Sequence, residues 1–169
     1  MSKLFLTADL HLGHENIIKY ENRPFANKES MDAVIIKKWN SVVSNRDKVI
    51  VAGDVSFYNK GKTSEIINRL NGKKILVKGN HDSRNNNWWL DVGFDEVSSY
   101  PIIYKDWFVI SHEPPTYYNS ATPYFYIYGH VHSSDMYQTI TKQTACVCVE
   151  RWEYTPVELN KIIDLSKLN

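Results

Sequence analysis

The sequence predicts an α/β domain in which two sheets pack together beneath outer helices, and three observations lead there. Apolar strand-like runs alternate with helical segments through the first half, which favours a parallel sheet. From about residue 95 the chain changes to short strands. Five apolar runs also end in residue types that bind metals, and sites in open α/β sheets gather beyond the carboxyl ends of strands.

The first strand is predicted at about 3–8, leading into a polar loop with Asp9, His11 and His14. A helix follows over about 28–43, where Met31, Val34, Ile35, Lys38, Trp39 and Val42 recur at three- and four-residue steps. A strand near 47–52 completes a βαβ unit. A second helix near 62–70 stops at Asn71-Gly72, and a strand at 74–78 and a short helix near 85–91 come next. Strands are then predicted at 95–104, 107–111, 124–128 and 143–149, with Lys105-Asp106 as a hairpin turn. The last helix is expected from Thr155-Pro156-Val157-Glu158, a capping box with proline in the first turn.

At 169 residues, 43% hydrophobic and 23% charged, the chain suits one soluble domain spanning 1–169. A net charge of +1 gives no basic surface of the kind a polyanionic nucleic acid selects, and no nucleic-acid module is visible. No apolar run approaches the roughly 20 residues of a membrane span, and Met1-Ser2-Lys3 enters a strand with no signal-peptide core. Cys146 and Cys148 would share one strand face as buried, inert thiols, which fits a reduced, cytoplasmic setting.

The chemistry lies at the five strand ends. Asp9-Leu10-His11, Gly53-Asp54, Gly79-Asn80-His81-Asp82, Ser111-His112 and Gly129-His130-Val131-His132 each follow an apolar run, and all six histidines fall in these blocks or, for His14, just beyond one. Any one block has a bland reading: Gly53-Asp54 is a common turn, and Asp-x-His a loop with a satisfied ring. Together, Asp9, His11, Asp54, Asn80, His112, His130 and His132 offer more donors than one tetrahedral ion needs. Two ions sharing a carboxylate would use them. Imidazole, carboxylate and amide donors without thiolate suit Mn²⁺, Fe²⁺, Zn²⁺ or Ni²⁺, with Mn²⁺ the expected ion. Ions about 3.5–4 Å apart acidify a bridging water and neutralise a phosphoryl group, and His81 is placed to protonate a leaving oxygen.

In this order the blocks resemble the signature of the calcineurin-like metallophosphoesterases, matching from residue 9 to residue 132. The resemblance implies a four-layer α/β-β/α sandwich of two mixed sheets flanked by helices, with a two-metal site between the sheet ends. It also implies that Asp9, His11 and His132 hold one ion, Asn80, His112 and His130 the other, and Asp54 both. His81 is then the catalytic histidine and Asp82 the acidic group that orients it, although many members carry glutamate there.

The stretch from Asp9 to Ile18, followed by Arg23-Pro24-Phe25, resembles small bacterial and phage members. His14 could touch substrate, support the first metal loop or simply stabilise its own loop. Arg23 could grip a phosphate in a two-pronged interaction or pack beside Pro24 and Phe25. Arg84 could face the phosphate or solvent. Tyr117, Tyr118, Tyr124, Phe125, Tyr126 and Tyr128 border the site in sequence, mostly as core and sheet surface.

The expected function is phosphate mono- or diester hydrolysis, with diesters favoured, by a metal-bridging hydroxide with His81 as general acid. The substrate would be a small phosphate ester or nucleotide, and the protein a monomer or homodimer. The alternatives are a nuclease acting on DNA or RNA ends, and a non-catalytic scaffold on the same fold.

Overall fold

The computed structural model describes residues 2–116 and 122–168. Its elements run β1 (Leu4–Thr7), α1 (Glu15–Tyr20), α2 (Lys28–Val42), β2 (Lys48–Val51), α3 (Lys60–Ile67), β3 (Lys73–Val77) and α4 (Asn86–Asp91). Six short strands and a helix follow: β4 (Glu96–Ser98), β5 (Ile102–Tyr104), β6 (Phe108–Ile110), β7 (Phe125–Tyr128), β8 (Thr144–Cys146), β9 (Val157–Glu158) and α5 (Leu159–Ser166), with a 3₁₀ turn at Val149–Trp152.

One sheet has the order β4-β3-β2-β1-β9, parallel except for β9. The other has the order β5-β6-β7-β8, with only the β5–β6 pair antiparallel. Strand side chains alternate between faces, so the first sheet feeds two cores. Phe5, Val49, Val51 and Leu76 point toward helices, packing with Met31, Ile35 and Trp39 of α2, Ile66 and Ile67 of α3, and Trp89 of α4. Leu6, Ile50 and Val77 point the other way, onto Phe108, Ile110, Phe125 and Ile127 of the second sheet. The result is a sandwich of two packed sheets flanked by helices, the α/β architecture the sequence predicts.

Four predicted elements differ in detail. The single strand at 95–104 is two strands in different sheets, β4 beside β3 and β5 beside β6, because the chain crosses from one sheet to the other at Ser99–Pro101. The last helix begins three residues late. Val157 and Glu158 pair with Leu6 and Phe5 at the edge of the first sheet, and the Glu158 side chain makes no capping bond. Edge pairing there displaces the predicted capping box. A short α1 occupies what the sequence presents as loop, and α3 ends at Ile67, before the turn at Gly72.

The buried face of α2 is rotated from the predicted stripe, with Asp32 and Ile36 inside and Val42 exposed. Asp32 turns inward to accept a bond from Gly13 N at 3.2 Å, in the loop of the first ligand block. Lys105 and Asp106 both adopt positive φ in the predicted hairpin turn, and Trp107 joins the loop, since Tyr104 pairs with Phe108. No helix among the described residues is long and apolar enough to cross a membrane.

Candidate metal centre

The parallel strands bring their carboxyl ends to one edge, and the predicted ligands stand two to four residues beyond them. Asp9 follows β1, Asp54 β2, Asn80 β3, His112 β6, and His130 and His132 β7. All seven converge. The ligand atoms of Asp9, His11 and His132 lie within 4.8 Å of one another, as do those of Asp9, Asp54 and His112.

Two sets of donors share one oxygen. In the first, Asp9 Oδ1 lies 3.8 Å from His11 Nε2 and 3.6 Å from His132 Nε2. In the second, Asn80 Oδ1 lies 2.9 Å from His112 Nε2 and 3.1 Å from His130 Nδ1. Asp54 Oδ2 joins both, 3.6 Å from His11 Nε2 and 3.5 Å from His112 Nε2. Donors around one ion with bonds of about 2.1 Å stand roughly 3.0–3.4 Å apart, so these spacings suit a shared cation. Asp9 Oδ1 and His11 Nε2 are buried without a hydrogen-bond partner. An unsatisfied buried polar atom costs about 1–3 kcal/mol, and a cation would remove that cost. The donors therefore fit divalent ions.

The backbone at these positions is unusual. Asp9, His11, Asp54, His130 and His132 have φ of 60°, 50°, 56°, 71° and 46°, in the left-handed region that residues other than glycine adopt at a cost. Cross-loop bonds hold them there: Asp9 N and His11 N donate to Gly53 O and Asp54 O, each at 3.0 Å, and His130 N donates to Asp9 Oδ2 at 2.9 Å. Gly79 permits the closest approach, since a Cβ there would collide with Asp54 Oδ1 and crowd His112.

Each ring is oriented by its other nitrogen. His112 Nδ1 lies 2.8 Å from Ala52 O, which turns Nε2 toward Asn80 Oδ1 and Asp54 Oδ2, where it could bind a metal. His132 Nδ1 lies 3.0 Å from Glu150 Oε1. Burial disfavours charge on His132, but the Glu150 hydrogen bond and the charges of Asp9 and Glu150 raise its pKa overall. Asp9, although buried, is held below the ordinary carboxylate range by His11, His132 and His112. His11 Nδ1 meets His14 Nδ1 at 3.2 Å. Burial first, then the neighbouring histidines and Arg23, pushes His14 down to about 4, so its ring is neutral near pH 7. A neutral His14 can accept the Nδ1 proton of a His11 that binds a cation through Nε2. Its ring also stacks on Phe57 with centroids 4.1 Å apart.

The other predicted residues divide. His81 has a half-exposed ring with Nε2 3.9 Å from Asp54 Oδ2, and its backbone N–H donates to Asp54 Oδ1 at 3.0 Å. Asp82 is buried, and its carboxylate accepts from Asp54 N, Val55 N and Gly79 N at 2.8, 3.0 and 2.9 Å. It pins the bridging loop to the Gly79–Asp82 turn rather than orienting the His81 ring.

Arg23 does not face a phosphate. Its guanidinium is buried, donating to Asp9 O at 2.8 Å, Leu10 O at 3.1 Å and Glu150 Oε1 at 2.6 Å. Arg84 is exposed and lies over the Trp88 ring, 5.8 Å from its centroid. Phe125 and Tyr128 are core, and Tyr117 and Tyr118 lie outside the described residues.

Glu150 and Phe57 are the residues the sequence left unnoticed. Glu150 had a signal: like every ligand block, it stands just past a predicted strand end. Cys146 and Cys148 are free, buried and 3.3 Å apart at sulfur.

A model of the calcineurin-like phosphoesterase family matches residues 2–153. An uncharacterized protein of Methanocaldococcus jannaschii is 36% identical over 171 residues, covering 98% of this chain and 92% of that one. The gene 66 protein of Mycobacterium phage L5 is 38% identical over 88 residues, 48% of this chain and 41% of its own. Among solved structures, a protein of unknown function from Aquifex aeolicus superposes with a TM-score of 0.73 at 25% identity, covering 98% of this chain and 100% of that one. A Pseudomonas putida nuclease superposes with a TM-score of 0.53 at 21% identity, over 76% of this chain and 61% of its own, a likeness of fold.

Proposed function

The chain belongs to the calcineurin-like phosphoesterase family, and on that premise we propose that this metal-dependent phosphoester hydrolase acts on small phosphodiesters. Asp9, His11 and His132 would hold one divalent ion, Asn80, His112 and His130 a second, and Asp54 both. Mn²⁺ is the favoured ion, with Fe²⁺, Zn²⁺ and Ni²⁺ as alternatives. Such ions, when bound, acidify water and offset negative charge on a phosphoryl group.

The chain's own residues do the rest. His81 stands half-exposed beside the bridging carboxylate, where its ring can pass a proton to a departing oxygen. Asp82 holds the Asp54 and Asn80 loops together, and Glu150 and Ala52 O keep the Nε2 atoms of His132 and His112 aimed inward. The carrying observation is the pair of donor sets that meet at Asp54 Oδ2 around buried, unpartnered atoms. A scaffold whose chemistry had decayed would be expected to lose such ligands first. The fold likeness to a nuclease favours a diester bond, whereas a net charge of +1 argues against a polymeric substrate.

A metal-supplemented screen of aryl monoesters, linear diesters and cyclic nucleotides tests this, with diesters expected to turn over fastest. His81→Ala should keep its metals and lose on the order of 10²–10⁴ in rate on esters with poor leaving groups. Loss of the metals in that variant would refute the proton-donor role. Protein that retains no divalent ion and cleaves none of these esters would favour the scaffold.

A further inference from the structure

Beside the second donor set lies a cleft of about 550 Å³, walled by Asn80, His112, Lys78, Tyr100, Tyr126 and Pro114 among others. Its volume falls within the roughly 300–1,000 Å³ of sites that enclose one small ligand. We propose that this cleft receives the retained nucleoside of a phosphodiester, the group that stays on phosphorus when the other ester bond breaks. The proposal rests on the diesterase reading of the centre.

The placement decides which substituent enters. The cleft begins at Asn80 and His112, whereas Asp9, His11, His132 and His81 are absent from its lining. The His81 ring instead neighbours Phe57, His11 and Asp54, at 5.2 Å and 5.7 Å between centroids for the two rings. A leaving oxygen protonated by His81 therefore departs on that side, and the other substituent extends past Asn80 into the cleft. A phosphomonoester has no such substituent.

The walls suit a flat heterocycle on a charged tether. Tyr100 is 79% exposed, a large ring left in water at the cleft, and a nucleobase can stack on it. Tyr126 offers a second, half-buried aromatic wall, and Lys78 supplies a cation to a lining that also holds Glu113.

The test compares two diesters with one leaving group, 4-nitrophenolate, and different retained groups: the 4-nitrophenyl ester of thymidine 5′-monophosphate and methyl 4-nitrophenyl phosphate. With Mn²⁺ supplied, kcat/KM should favour the thymidine ester by about tenfold or more. That preference should collapse in Tyr100→Ala and return in Tyr100→Phe. Calorimetry should show thymidine 5′-monophosphate binding more tightly than inorganic phosphate, with the excess lost in Tyr100→Ala. Equal handling of the two diesters by the unmodified protein, or a preference indifferent to Tyr100→Ala, overturns the cleft assignment. If neither diester is cleaved but the Tyr100-dependent binding excess persists, the cleft assignment stands and the diesterase reading falls.

Discussion

On one side of Asp54 the donors are enclosed; on the other they are open. Asp9 and His11 are buried, their loop is held by the Arg23 guanidinium, and Glu150 braces His132 from behind. Asn80 and His130 are exposed, only His112 is buried among the second set, and Asn80 and His112 border a cleft. Enclosure fixes donor directions and keeps water out, so an ion held by the first set would be the better retained of the two. The open set trades retention for access, which a substrate oxygen requires. One carboxylate, Asp54, thus lies between an enclosed half and an open half.

The largest effect should come from removing what joins them. Asp54→Ala should lose measurable turnover and bind no more than one ion per chain by elemental analysis; two ions retained would mean the halves do not depend on their bridge. Next comes the brace of the enclosed half. Arg23→Ala strips a buried carboxylate of its partner, a change that typically costs about 3–5 kcal/mol, and denaturant unfolding should register it. A loss below about 1 kcal/mol would show that Arg23 is not part of the support.

His130→Ala probes the open half. It should weaken the second ion by more than the roughly 10–100-fold that loss of a ligand's supporting partner costs, leaving the first in place and the unfolding midpoint little changed. Equal loss of both ions would erase the distinction between the halves.

The smallest expected effect concerns Asp32, under the enclosed loop. Burial pushes its carboxyl up to about 6 from 3.8, with Glu29 adding to the rise and the Gly13 N–H bond opposing it. A raised carboxyl favours the fold while protonated, so this contribution is full below about pH 4 and is lost as pH rises through about 6. Asp32→Asn should flatten stability over that window and add roughly 1–2 kcal/mol at pH 7. A variant with an unchanged pH slope would remove Asp32 from the account.

Much of the candidate centre is legible in the chain because each donor is announced locally. An apolar run makes a strand, parallel strands end at one edge, and a polar residue just beyond each end must lie there. The support was less legible. Arg23 and Glu150 are 127 positions apart, and neither flanking sequence distinguishes a buried pair from two solvated charges. Asp82 was noticed, but whether its oxygens met a ring or three backbone amides depended on how two loops close.

The same division runs through the fold. Periodicity, turn residues and the order of polar blocks determined most element types, the helix-flanked pair of sheets and the candidate ligands, since these follow from interactions between near neighbours in sequence. Only the tertiary structure decided that 95–104 divides between two sheets, that Val157 and Glu158 finish an edge before α5 begins, and that one half of the centre is sealed while the other opens on a cleft. Those outcomes depend on which distant surface is available to pair with or to cover a segment, and no local stretch of chain carries that information.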